Sequence, residues 1–159
     1  MQRTFSSLLG LTLLGAASLA HADVTVTDPW VRGTVAGQQA TGAFMQLQSS
    51  DQARLIGVRS SLTPNAEVHE MAMENEVMRM RHIEHVELPA GQTVQLKPGG
   101  YHIMLMGLDK QLPEGATVDL TLIVENAAGQ KEEIPVQAPV RALNAKAGGG
   151  HGQHGGHGH

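Results

Sequence analysis

The sequence predicts an all-β domain, a sandwich or barrel, followed by a tail that does not fold. Three observations carry this. Short β-rich runs separated by turn residues recur at roughly 8–12-residue spacing. No segment sustains a helical 3.6-residue period for three turns. From Gly148 to the end the chain is only Gly, His and Gln, with no apolar residue from which to build a core. A length of 159 residues suits one domain with a sizeable core.

Taken in order, the first 22 residues read as an address. Arg3 supplies a basic start, Leu8 to Ala20 is an apolar run, and Ala20-His21-Ala22 is a small-x-small cleavage site. The run is shorter than the ~20 residues a membrane span needs. A secretory signal over residues 1–22 is expected, cut after Ala22. The product would sit in the periplasm, without stable membrane insertion. No Cys follows the cut, so no lipoprotein is expected. A cut after Ala20 is the alternative and would leave His21 at the amino terminus.

The domain is expected over residues 23–140, with neither an internal repeat nor a linker before residue 141. Val24-Thr25-Val26 alternates before Asp28-Pro29. Ala43 to Gln48 and Arg54 to Arg59 read as strands joined at Ser49-Ser50-Asp51, and Ser61 to Asn65 as a loop. Glu67 to Met73 and Val77 to Ile83 form a candidate hairpin across Glu74-Asn75-Glu76. Thr93 to Leu96 lies between Pro89-Ala90-Gly91 and Pro98-Gly99-Gly100, which turn the chain into Tyr101 to Met106. Thr117 to Glu125 and Glu132 to Val136 complete the set. Residues 141–159 are the expected disordered tail, carrying His151, His154, His157 and His159.

Composition removes several functions. The formal charge is −4 and aromatic residues make up 3%, so neither the basic stripe nor the stacking platform of a nucleic-acid binder is present. With no Cys there are no disulfides, thiolate zinc sites or iron–sulfur clusters, and no blue-copper centre. No nucleophile–base–orienter trio is apparent, so the chain does not read as an enzyme. What stands out is 9 His and 8 Met.

On a strand, residues i and i+2 share a face. His102 and Met104 therefore point one way, Ile103 and Leu105 the other. His69, Met71 and Met73 share a face, as do Met78, Met80 and His82. A two-residue loop at Glu74-Asn75 would set His69 opposite Met80 and Met71 opposite Met78, within one side chain's reach. Methionines on strands ordinarily fill cores. These, however, are interleaved with Glu70, Glu74, Glu76, Arg79 and Arg81, which suggests a solvent-facing rim. Thioether sulfur prefers Cu(I), imidazole accepts Cu, Zn or Ni, and the hard ions want oxygen. His82 and His85 read as solvent-facing strand residues, and Trp30 as a core anchor.

His69, Met80, His102 and Met104 stand at the spacing H-x10-M-x21-H-x-M. This resembles the signature of the periplasmic copper chaperone family PCuAC, which delivers copper to the CuA centre of cytochrome c oxidase. Asp28-Pro29-Trp30-Val31-Arg32, Met78-Arg79-Met80-Arg81 and Leu96-Lys97-Pro98-Gly99-Gly100-Tyr101 resemble the family as well. The resemblance covers about residues 24 to 125. It implies a cupredoxin-like Greek-key β-sandwich or barrel and a Cu(I) shell of His69, Met80, His102 and Met104. Met71, Met73, Met78 and Met106 stay outside that shell.

The function expected is a monomeric periplasmic metallochaperone that holds Cu(I) and hands it to an acceptor, such as the CuA domain or a Sco-type thiol protein. Two alternatives stand beside it. One is a copper sequestration or resistance protein with no delivery partner. The other is a Cu(II) histidine-brace enzyme, should the mature chain start at His21. The tail imidazoles suit Cu(II). They coordinate only when neutral, and exposed His titrates near ~6.5. Cu(II) uptake by the full chain is therefore expected to fall between about pH 7 and 5, more steeply than Cu(I) uptake, because thioethers have no proton to lose. Paired metal titrations on the full chain and on a chain ending at Ala147 check this. Equal Cu(II) binding by the two would remove the tail site.

Overall fold

A computed structural model of the protein describes residues 22–144. The tail histidines His151, His154, His157 and His159, and the expected signal up to His21, lie outside the described residues. The described chain is all-β, with ten strands in the order β1 (Val24–Arg32), β2 (Ala40–Ser49), β3 (Ala53–Ser60), β4 (Asn65–Glu74), β5 (Val77–His82), β6 (Val86–Leu88), β7 (Thr93–Leu96), β8 (Tyr101–Met106), β9 (Thr117–Asn126) and β10 (Lys131–Arg141). Hydrogen bonding runs β5-β4-β8-β7-β2-β1-β10-β9-β3-β6, with β8 also against β2.

The halves of this ribbon join where β1 meets β10 in parallel, at Val31↔Val140 and Arg32↔Arg141. One core cluster draws on both halves: Ala43, Met45, Leu47, Ile103 and Leu105 from one, Leu55, Leu120, Leu122, Val124 and Ala138 from the other. Period-2 alternation explains it, since each strand turns one set of side chains inward. Ala22 packs into the same cluster.

Several elements differ from expectation for identifiable reasons. β6 was not expected; three residues are too few to show a period, yet Val86 and Leu88 are buried against β3. β10 continues through Pro135 and Pro139 to Arg141. It can do so because β1 pairs with β10 only at its end, so both prolines lie where no amide donor is required on that side. β1 continues through Asp28-Pro29 by a bulge that shifts its register on β2 between Thr27 and Trp30, with Asp28 at φ +51°. The bulge exchanges faces. Val24 and Val26 pack inward before it and Val31 after it, which sends Trp30 to the opposite side of the sheet. Trp30 is buried, but against Phe44 at 4.6 Å between ring centroids, outside the main cluster.

The β4–β5 hairpin has a different register from the one expected. Its two-residue loop is Asn75-Glu76, closed by the Glu74↔Val77 pair, not Glu74-Asn75. Asn75 and Glu76 have φ of +50° and +65°, as a type I′ turn requires. Asn tolerates the left-handed region; Glu carries a cost there of order 1 kcal/mol. Glu76→Gly removes that cost and adds some entropy loss, for a net stabilisation of about 0.5 kcal/mol. A rise in Tm of about 2 °C is expected by calorimetry, and a fall would contradict the turn geometry.

Candidate metal centre

The site is built on neighbouring strands β5, β4, β8 and β2. β8 carries both faces of the design. Ile103 and Leu105 are fully buried in the core, while His102 and Met104 stand on the other side, beside Phe44. In register, His102 faces His69, and Met104 faces Glu67 on one side and Gly42 on the other. Gly42 has a steric reason. A Cβ there would lie 2.6 Å from Cζ of Phe44, whose ring covers the glycine. Phe44 packs against Trp30, the Arg32 guanidinium lies 5.2 Å from its centroid and 5.9 Å from that of Trp30, and its ring centre lies 6.4 Å from that of His102.

Each imidazole is oriented through one nitrogen. Nδ1 of His102 donates to the Gly100 carbonyl at 2.9 Å, which leaves Nε2 as the lone-pair nitrogen. Nε2 of His69 is 2.8 Å from the Glu67 carboxylate, so its proton is held there and Nδ1 is left with the lone pair. Both remaining nitrogens, His102 Nε2 and His69 Nδ1, are buried and have no hydrogen-bond partner in the protein. An unpaired buried polar atom is costly unless something coordinates it. A carboxylate or carbonyl fixing the far nitrogen is the usual support of a metal-ligating His. The two rings are adjacent, with centroids 6.0 Å apart.

Thioethers supply the rest. Met80, Met104 and Met71 line one cleft of about 290 Å³ with His102, walled by Phe44 and Arg32. Met80 is half exposed. Among the described residues no three His, Cys, Asp or Glu side chains converge on one point. A donor set drawn from the residues lining this cleft would combine imidazole with sulfur and be neutral, a chemistry that suits a soft ion. The Arg32 cation in the wall adds to that preference by opposing further positive charge.

Thus His102, Met104 and Met80 share one cleft, and His69 adjoins it through His102. The expected facing of His69 and Met80 is not found. With the loop at Asn75-Glu76, His69 faces His82, Met71 faces Met80, and Met73 faces Met78. The shift is two residues, so the shared face survives and only the rungs change. Two residues were thereby underrated. His82 is exposed but lies edge-on to His69, with centroids 5.9 Å apart. Met71 lines the cleft itself. The signal for both was the turn: Asn accepts positive φ more readily than Glu, so a loop beginning at Asn75 sets the register.

Comparison with known proteins bears on the family and the fold. Residues 24–140 match the model of the family described as "Putative lipoprotein LpqE-like". A curated relative, "Putative lipoprotein Lxx21020" of Leifsonia xyli subsp. xyli (strain CTCB07), is 31% identical over 115 residues, 72% of this chain and 69% of the relative. Among solved structures, the copper-bound PCuAC domain from PmoF2 is 26% identical with a TM-score of 0.59, covering 77% of this chain and 99% of that one. The solution structure of CuI-DR1885 from Deinococcus radiodurans is 27% identical with a TM-score of 0.52, covering 84% of this chain and 85% of that one.

Burial lowers the His102 pKa from 6.5, opposed by the Gly100 hydrogen bond and assisted by the nearby His69 and Arg32. Unfolded, this His takes up a proton near 6.5; folded, it does so only at lower pH. Between those values the unfolded chain binds more protons. Stability from this group is complete above about pH 6.5 and is lost as pH falls through the folded midpoint. An NMR titration of the metal-free protein is expected to place the His102 ring midpoint below 6.5, and a midpoint above it would contradict the buried, neutral imidazole.

Proposed function

The chain belongs to the LpqE-like family and shares its fold with copper-binding PCuAC domains, and from that premise we propose that it is an extracytoplasmic copper metallochaperone holding Cu(I) with His69, Met80, His102 and Met104. The observation that carries this reading is the pair of buried, unpartnered imidazole nitrogens beside a cleft lined by thioethers. His102 Nε2 and His69 Nδ1 are the donor atoms. Met80 and Met104 close the shell without adding charge.

Delivery follows from the same features. The ion would sit at the surface of a sheet, under a half-exposed Met80 on an edge strand. A thioether carries no charge, so an acceptor ligand can replace Met80 with no proton uptake and no charge separation. The two imidazoles, fixed through Gly100 and Glu67, keep the ion bound until the acceptor has engaged. The acceptor we propose is the CuA domain of cytochrome c oxidase. The tail histidines would gather Cu(II) as a second, separate site. Periplasmic export fits the signal read over residues 1–22.

Met80→Leu and Met104→Leu are expected to weaken Cu(I) binding at least tenfold, about 1.4 kcal/mol or more, in a chelator competition. Volume is nearly conserved, so metal-free stability should fall by less than about 1.5 kcal/mol. Met106→Leu serves as control and should bind as the parent does. A chain ending at Ala147 should still hold one tightly bound Cu(I). Unchanged affinity in both Leu variants would remove the thioethers from the shell. Mixing the loaded protein with a metal-free CuA domain tests the destination. Copper that stays on the donor would favour the sequestration reading.

A further inference from the structure

The β4–β5 hairpin carries more soft donors than a four-ligand shell uses. Its actual register stacks three rungs on one face: His69↔His82, Met71↔Met80 and Met73↔Met78. Sequence spacing on each strand places all six side chains on the same side. The ladder starts beside His102 and ends at the turn.

Methionine ordinarily fills cores, yet Met73 and Met78 are 64% and 45% exposed. They gain little from packing, so burial does not account for them. The opposite face of the hairpin is occupied by charge. Arg81 pairs with Glu70 and Glu74, and Arg79 lies 3.8 Å from the Glu74 carboxylate. Those carboxylates are engaged with arginines on their own face. The thioether face is left neutral, a surface that attracts soft cations and ignores Mg²⁺ or Ca²⁺.

We propose that Met71, Met73 and Met78 form a second, outer site for a soft monovalent cation, Cu(I) or its analogue Ag(I), one rung further out than the His/Met shell. Cβ atoms within a rung stand about 5 Å apart and successive rungs about 7 Å. Three rotatable bonds let each sulfur reach an ion placed between them. Without imidazole, and exposed to water, this site is the weaker of the two. Met71 belongs to the cleft as well as to the ladder, so an ion moves between the sites by exchange of one thioether for another. Each exchange keeps the ion's charge and oxidation state and releases no proton. The inference rests on the copper-binding reading above.

The test uses the full chain with [methyl-13C]methionine, titrated with Ag(I). The signals report thioethers alone, so ions taken by the tail imidazoles do not intrude. The first equivalent bound by the domain should shift the Met80 and Met104 methyls, with Met71 beside them, and further ion should shift Met73 and Met78, with Met45 still. The double substitution Met73→Leu and Met78→Leu should weaken the second event at least about tenfold and change the first less than about twofold. If the Met73 and Met78 methyls stay unmoved to saturation, or the double variant binds its second ion as the parent does, the outer site is overturned. Failure of the inner shell would look different: Met80 and Met104 would stay unmoved while Met73 and Met78 shifted.

Discussion

One carbonyl oxygen, that of Gly100, holds the site together. It accepts from the Met71 amide at 3.1 Å and from Nδ1 of His102 at 2.9 Å. The first bond ties β4 to the start of β8. The second fixes which nitrogen of His102 faces the cleft. Gly100 occupies this place because the chain leaves the sheet between β7 and β8. Both strands pair with β2, but Leu96 faces Met45 whereas Ile103 faces Ala43, so the intervening residues bulge outward. Pro98 and Gly99, at φ +83°, make that excursion, and the Lys97 amide closes it on the Tyr101 carbonyl. The carbonyl has two lone pairs, so it serves the β4 amide and the imidazole together.

The second constraint is that the same strands serve two layers. Ile103 and Leu105 stabilise the core whatever His102 and Met104 do, so the site is free to be polar, soft and partly wet. The small layer beneath the site is aromatic: Trp30 against Phe44, Phe44 toward His102, with Arg32 over both rings. Trp30 reaches this layer only because the Asp28-Pro29 bulge reverses the faces of β1. Asp28 is held there by an ion pair with Arg141, whose guanidinium lies 5.3 Å from the Trp30 ring centroid. At the outer edge, β5 is exposed along its whole length. Arg79 and Arg81 on it serve the usual purpose of charges on an edge strand, discouraging further strand addition while the thioethers stay accessible.

Much of this was legible in the residues. Alternation located β2, β4, β5, β8 and β9 and put His102 and Met104 on the face opposite Ile103 and Leu105. The 69-80-102-104 spacing pointed to the family. What stayed hidden depends on geometry that no local pattern encodes. The hairpin register turned on which two residues take positive φ, and Asn75-Glu76 is a weaker signal than Asn-Gly. Trp30 is buried as expected of an anchor, but which layer it anchors depends on a bulge two residues earlier. β6 is too short to be periodic. The roles of Glu67 and Gly100 were invisible: a carboxylate two residues before a His is common on strands, and a backbone carbonyl leaves no mark in a sequence.

The electrostatics then bear on which copper the proposed shell would hold. Imidazole donors alone accept Cu(II) readily, so the two histidines do not decide the oxidation state. The thioethers do, and their effect is compounded by surroundings that offer no anionic ligand inside the cleft. Glu67 is nearest, but its carboxylate is committed to His69 Nε2. Arg32, on the cleft wall, is a fixed positive charge. A divalent ion would bring twice the charge of Cu(I) against the same guanidinium, and the nearest carboxylate, Glu67, stands behind His69 and not in the cleft. The neutral donors and the cation in the wall act in one direction. They favour a soft, singly charged ion whose arrival and departure require neither protons nor counter-charges.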